Sequence, residues 1–447
     1  MMEGLGFKPY QAYKDCAVDW IEHIPSSWTI KKAKFLLFES NSRSVSGDEH
    51  LLSLSKYHGV IRKDHMSERA GTAESLIGYK EVDKGDLVIN KMQASKGLMA
   101  VSTTTGITSP DYAIYKVREN AATSTRFICH ILCQPEYQAE IKRRAKGVME
   151  GFIRLYSDDL FDLPIILPSL NEQQSILDFL DDKCANIDGA VKIKEDQIAL
   201  LRERRQIIIQ DAVTRGLNPA APMKDSGIDW IGQIPTHWEL KPMRAFFRFR
   251  NEKNDPVKTE NILSLSIAHG VTPYSEEGRG GNKRKDDLTA YKLAYPGDIV
   301  LNSMNVIVGA VGRSKYFGAI SPVYYAFYPV DDHVYVPFYE QIFLNAGFQR
   351  GLLRLGKGIL IKLSGTGQLN TIRMKISTND LKSLLFPSPP ENEQQAIVAH
   401  ISEQNSKIDN GIAIKERQIV ALKEYKTSLI NAAVTGKIKI VTEKGGS

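Results

Sequence analysis

With 447 residues, 42% of them apolar and 25% charged, the chain has the composition of a globular protein long enough for about three domains. No apolar run reaches about 18 residues, which argues against a membrane-spanning helix. The opening MMEGLGFKPYQAYKD lacks the basic-then-apolar order of a signal peptide, so a cytoplasmic protein is expected. The net charge of +6 permits nucleic-acid binding without requiring it.

In chain order, the first distinctive segment is KDCAVDWIEHIPSSW at 14–28. A mixed stretch of about 150 residues follows, with short alternating strands, a Gly85-Asp86 turn and a Ser-Pro break before Tyr112. LVINKM (87–92) reads as a buried strand, and RFICHILCQPEYQAEIKRRA (126–145) as a helix. Cys129 and Cys133 fall at helical spacing and read as part of its buried face, not as half of a zinc site, because no second cysteine pair exists. After a Pro-Ser break, NEQQ opens a long helix at Asn171. Apolar positions alternate at three and four residues through Leu177, Leu180, Cys184, Ile187, Val191, Ile198, Leu201, Ile208 and Ala212, interrupted by Lys194 and Arg205.

The chain then repeats itself. KDSGIDWIGQIPTHW (224–238), the Gly297-Asp298 turn, IVLNSM (299–304), SPVYYAF (321–327) and NEQQ (392–395) follow in the same order. PFYEQIFLNAGFQRGLLRLG (337–356) reads as the second copy's helix, and ILIKLSGTGQLNTI as an insertion unique to it. Gly356 and Gly358 read as a helix stop and a flexible turn, not as a phosphate loop, because Gly358 stands where a magnesium-binding hydroxyl is needed. The second long helix repeats the seam with Val398, Ile401, Asn405, Ile408, Ile412, Ile419, Leu422, Leu429 and Ala433, interrupted by Lys415 and Lys426. A 3.5-residue period over several heptads argues for a coiled coil. An amphipathic helix packed on its own domain is the alternative, but about 40 residues would extend roughly 60 Å.

The expected fold is therefore α+β: two similar globular domains separated by two long helices that pair as an antiparallel coiled coil, the whole a pseudo-twofold internal repeat. The expected boundaries are a first domain at 1–170, a first helix at 171–214, a second domain at 215–390, a second helix at 391–436 and a tail at 437–447.

Sequence signatures of catalysis are absent. There is no Asn/Asp-Pro-Pro-aromatic tetrapeptide, no GxSxG, no HExxH grouping and no acid–lysine set of nuclease type. Asp158/Asp159 and Asp181/Asp182 sit at helix starts, where acids favour the dipole. Basic residues, by contrast, cluster where the copies differ, as in GRGGNKRKDD (278–287). The strand ends Asn90-Lys91-Met92-Gln93 and Asn302-Ser303-Met304-Asn305 share a frame but vary beside it. Asn, Gln and Lys are residues that read base edges. The alternative is that Asn90 and Asn302 cap a turn while the methionines pack inward.

As an ordered, duplicated set these motifs resemble the specificity subunits of type I restriction–modification systems, over nearly the whole chain. The resemblance implies two target-recognition domains, each reading one half of a split double-stranded DNA sequence, with the two helices as spacer. It implies two methyltransferase subunits docked on the helices and supplying adenine-N6 chemistry with S-adenosylmethionine. Restriction subunits, where present, would use ATP and Mg; no cofactor or metal is expected in this chain. Carried over by position, the candidate DNA-binding residues are Arg69, Lys91, Gln93, Lys96, Tyr112 and Lys146 in the first domain. In the second they are Lys283, Arg284, Asn305, Arg313, Tyr324 and Lys357. A coiled-coil scaffold without DNA specificity and a nuclease with an unrecognised site remain as competitors.

Overall fold

The computed structural model of the chain describes residues 8–16, 18–21, 23–56, 58–63, 75–147, 154–267, 269–275, 287–304, 310–355, 357–359 and 373–440. The fold is α+β and falls into two compact units. Unit 1 comprises residues 1–194 with 417–447, and unit 2 comprises 195–416.

Unit 1 is built on a four-stranded antiparallel sheet of β1 (Leu37–Ser40), β2 (Leu87–Asn90), β3 (Met99–Val101) and β4 (Tyr112–Val117), in the order β1-β4-β2-β3. Leu87, Val88 and Ile89 are all buried, as an apolar run packed on both faces demands. The turn into β2 closes on itself: the buried Asp86 carboxylate accepts the Asp83 N–H at 2.9 Å. Two helices follow, α1 (Thr125–Leu132) and α2 (Pro135–Arg144). The sequence pattern suggested one helix here, but Pro135 has no N–H to continue α1 and instead opens α2. The buried face of α1 is Phe127, Ile128, Ile131 and Leu132; Cys129 is half-buried and Cys133 is exposed, so the cysteines lie beside that face.

The long helix α3 (Leu170–Arg215) contributes its first part to unit 1 and the remainder to unit 2. At 46 residues it extends about 70 Å. Ser169 caps it, its hydroxyl accepting the Glu172 N–H at 3.3 Å.

Unit 2 repeats the sheet with β5 (Phe247–Arg250), β6 (Ile299–Asn302), β7 (Val311–Arg313) and β8 (Tyr324–Pro329), in the order β5-β8-β6-β7. Asp298 takes the Tyr295 N–H at 3.0 Å, repeating the Asp86 turn. The second helical stretch is likewise broken, into α4 (Val336–Leu344) and α5 (Ala346–Gly351), where the buried Asn345 accepts the Phe348 N–H and starts a new helix. Beyond it Lys357–Ile359 forms a short strand paired with Arg373–Lys375, so Gly358 lies in a strand and not in a flexible turn. The second long helix, α6 (Glu391–Val434), spans 44 residues and is also shared by the two units.

The long helices pack on each other within each unit. Leu177, Leu180, Ile187 and Val191 of α3 are buried in unit 1, where Leu429 of α6 is buried and Leu422 half-buried. In unit 2 Ile198, Ile401 and Ile408 are buried, with Leu201, Ile208, Val398 and Ile412 half-buried; Ile419, in unit 1, is half-buried too. The repeated Ile-Asp pairs divide their roles. Ile187 and Ile408 fill the seam, while Asp188 takes Lys426 at 2.7 Å and Asp409 takes Arg205. Two of the basic seam positions, Arg205 and Lys426, are thus neutralised across the pair, which runs antiparallel in both units.

Each long helix is also tied to the globular part of its unit by a tryptophan. Trp28 and Trp238, the last residues of the repeated DW–IP–W segments, are fully buried. The Trp28 indole N–H donates to Glu172 at 3.2 Å, and the Trp238 indole N–H to Glu393 at 2.9 Å, so each engages the Glu of an NEQQ segment. The next residue, Gln173 or Gln394, donates to the carbonyl of Pro168 or Pro389. The same indoles press on the ends of the opposite helices. Gly436, just past α6, lies against Pro25 and Trp28, and Gly216, just past α3, against Trp238. Both glycines have left-handed φ, +76° and +72°. A side chain at Gly436 would fall 2.5 Å from Pro25, which leaves glycine the residue able to end that helix there.

A Trp238→Phe substitution keeps most of the apolar contact but removes a charge-assisted hydrogen bond. It is expected to lower stability by about 1.5–3 kcal/mol in urea unfolding. A loss within experimental error would show that the indole N–H does not hold the helix.

Candidate nucleic-acid interface

The shared Asn-x-Met frame sits at the same place in both units. Asn90 ends β2 opposite Tyr112, and Asn302 ends β6 opposite Tyr324. Neither asparagine points outward to read a base: Asn90 Oδ1 accepts the Met92 N–H at 3.0 Å, and Asn302 Oδ1 accepts the Met304 N–H at 3.0 Å. They cap the turn that follows each strand, and Met92 and Met304 are half-buried. The next position is fixed by its main chain. The carbonyl of Lys91 accepts the Leu155 N–H at 2.9 Å, and that of Ser303 accepts the Ile376 N–H at 3.4 Å.

In unit 1 the strand end gathers several candidates. Gln93 and Lys96 lie in the short helical turn after β2 and are exposed; Tyr112 is half-buried across the strand. Lys146 pairs its backbone with Arg154, next to the Leu155 that binds the Lys91 carbonyl. Its ammonium is held by Asp159 at 2.9 Å. In unit 2 Arg313 is exposed and reaches Glu340 at 3.6 Å, while Tyr324 is half-buried at the end of β8. Arg69, Lys283, Arg284 and Asn305 lie outside the described residues; Lys357 contributes its backbone to the short strand described above.

Lys91 is not a free cation. Glu39, on β1, takes Lys80 at 2.9 Å and Lys91 at 3.3 Å on one carboxylate oxygen, and Ser157 on the other. Ser157 in turn meets the buried Tyr115 hydroxyl at 2.9 Å. The side chain of Lys80 is 4% exposed and that of Glu39 17%, so the pair is largely withdrawn from water. Burial pushes the Glu39 carboxyl up, but hydrogen bonds from Ser157 and Lys80, with the charges of Lys80 and Lys91, outweigh it and hold the group below its ordinary value. Glu39 was not among the residues that sequence reasoning singled out. A lone glutamate in LLFES carries no signal, because its partners are 41, 52 and 118 residues away.

Unit 2 replaces this network by an aromatic one. Arg250 is clamped by Asp298 at 2.6 and 2.9 Å and lies between the rings of Tyr295 and Tyr328, 4.4 and 4.5 Å from their centroids. Tyr295 also packs on Phe317. The two strand-end surfaces therefore share a backbone and differ in charge and chemistry. Among the described residues no group of His, Cys, Asp and Glu is placed to hold a metal ion. Among them, too, no helix is long and apolar enough to cross a membrane.

The Glu39 network makes a pH-dependent contribution to stability. Its folded-state pKa lies below the ordinary value of 4.5, so the contribution is present above that pH and is lost as pH falls through the folded-state value. Glu39→Gln strands the buried Lys80 and is expected to cost roughly 3 kcal/mol at neutral pH. It is also expected to flatten the acid limb of the stability curve below pH 4.5. Parallel acid limbs for the two proteins, measured by urea unfolding, would contradict this account.

No protein-family model matches the chain. Two curated relatives from Methanocaldococcus jannaschii are similar to it. The first, named for the specificity subunit of the type I restriction enzyme MjaX, is 24% identical over 288 residues, 63% of this chain and 60% of that protein. The match thus spans less than two thirds of that relative's length. The second, the type I restriction enzyme MjaVIII specificity subunit, is 24% identical over 319 residues, 67% of each chain. A solved structure from work on complex assembly and conformational transition of the type I R-M system shares the fold at a TM-score of 0.62. Its sequence identity is 13%, and the alignment covers 93% of this chain and 99% of that one. The chain is thus similar in sequence to specificity subunits of type I restriction enzymes and shares its fold with a solved structure from a type I R-M system.

Proposed function

We propose that this chain is the DNA-reading subunit of a restriction–modification complex and performs no chemistry itself. Each unit reads one half of a bipartite duplex target, and the paired long helices act as the spacer of a pseudo-twofold arrangement. Partner adenine-N6 methyltransferase subunits, two per chain, bring S-adenosylmethionine; restriction subunits, where present, bring ATP and Mg. The complex works in the cytoplasm.

One observation carries this reading. The same four-stranded sheet occurs twice, and each copy ends its second strand in a capped Asn-x-Met turn whose neighbouring side chains differ. Reading two different half-sites needs a constant support and variable polar groups, and in unit 1 the exposed Gln93, three residues past Asn90, stands at such a place. The helices supply a surface for the partners. In unit 2 Leu200 and Ile207 are 63% and 53% exposed. Beside Ile207 opens a groove of about 1160 Å³, lined by Trp230, Phe348, Leu352 and Leu355 with Glu203 and Arg354 at its polar edge. Such a mixture of aromatic, aliphatic and charged groups suits a protein partner.

Methylome sequencing of cells with and without the gene, with the methyltransferase partner present, tests the proposal. A bipartite adenine-methylated motif that depends on the gene is expected. Exchanging residues 30–145 for those of a relative should change one half of that motif and leave the other. Active methyltransferase with no gene-dependent motif would reject the reading in favour of a scaffold without DNA specificity.

A further inference from the structure

The two units treat one equivalent lysine in opposite ways. Lys80 and Lys292 each start a short strand, paired with Thr108 and Ile320 respectively. In unit 1 the ammonium of Lys80 is met by Glu39, which lies opposite Tyr115 in the sheet. The residue at that register in unit 2 is Phe249, opposite Phe327. The carboxylate that Lys80 meets thus has no counterpart at that register beside Lys292. The Lys292 Nζ donates to the Tyr324 carbonyl at 2.9 Å, at the same strand end as Asn302, and stands 5.2 Å from the Tyr325 ring centroid. Among the described residues none forms a salt bridge with it.

Other positive charge is close by. Phe249 packs edge-on against Tyr325, and the ammonium of Lys382 lies 5.5 Å from the Phe249 centroid. Burial pushes the Lys292 ammonium below its ordinary value, and the nearby charge of Lys375 pushes it the same way. Burying an ammonium without a counter-charge is costly, and a half-buried one is stabilised by any anion that reaches it. The carbonyl and the aromatic face satisfy part of its shell and leave an anion position open. Unit 1 fills the corresponding need internally, with one carboxylate serving both Lys80 and Lys91.

We propose that Lys292, with Lys375 near it, holds a backbone phosphate of the duplex read by unit 2, and that Glu39 neutralises the equivalent position in unit 1. This rests on the DNA-reading function proposed above. The phosphate contact sets the register of the duplex on unit 2 and carries no base preference of its own. The half-site read by unit 2 would thus be gripped more strongly through its backbone, and more salt-sensitively, at this position than the half-site read by unit 1.

The test uses the full chain assembled with its methyltransferase partner and a duplex carrying the gene-dependent motif, with binding measured across a salt series. For Lys292→Met the slope of log affinity against log salt is expected to be shallower than wild type by about 0.9, the loss of one phosphate contact. Lys292→Arg should restore the slope. Phe249→Glu, which supplies the missing carboxylate while leaving the lysine in place, should give the shallow slope too, and it is the deciding variant should Lys292→Met fail to assemble. A wild-type slope in an assembled Lys292→Met or Phe249→Glu complex overturns the phosphate site while leaving the DNA-reading function intact. A wild-type complex whose duplex binding is insensitive to salt overturns both.

Discussion

A buried indole donating to a glutamate is the contact from which the rest of this structure is organised. Trp28 and Trp238 each end a Pro-containing segment, lie wholly inside their unit, and find a carboxylate at the start of a long helix. A buried indole N–H without an acceptor would be expensive, so the Glu of each NEQQ segment is required by the Trp that faces it. Because the same ring also packs on the glycine that ends the other long helix, one side chain fixes where one helix begins and where its partner stops. The Ile-Asp pairs then hold the two in antiparallel register within each unit.

Electrostatics separates the two units where geometry does not. Glu39 serves Lys80, Lys91 and Ser157 in one. Asp298 serves Arg250 in the other, and Lys292 is left to a carbonyl and a ring. Both arrangements satisfy their sheets. They present different charge to anything that approaches the strand ends, and the difference traces to single positions, Glu39 against Phe249 and Ser40 against Arg250.

Much of the frame was legible in the sequence because it is periodic or repeated. The seam residues announce the long helices, and the paired DW–IP–W and NEQQ segments announce a duplicated unit. That these two motifs touch was hidden, since co-occurrence in a sequence does not say what a Trp donates to. The shorter helices were read as too long. Pro135 and Asn345 each begin a new helix, and the apolar pattern continues across both breaks because both helices pack on the same core. Gly358 reads as a turn from composition alone, yet pairing with Arg373–Lys375 makes it part of a strand. At the interface the strand-end frame was visible and the charge network was not. An ion pair between residues 41 or 52 apart depends on which strands lie side by side, a property that no local window carries.

The main-chain bonds at Lys91 and Ser303 have a consequence for how such a surface can change. Each of these residues is positioned through its carbonyl, by Leu155 or Ile376, and the turn before it is closed by the preceding asparagine. The side chains add different bonds to this common mount: the buried Ser303 hydroxyl donates to the Val323 carbonyl at 2.7 Å, and the Lys91 ammonium meets Glu39 at 3.3 Å. A lysine and a serine thus occupy matching places after a capped asparagine, each held by its own side-chain partner, so that exchanging either residue entails exchanging the partner that receives it.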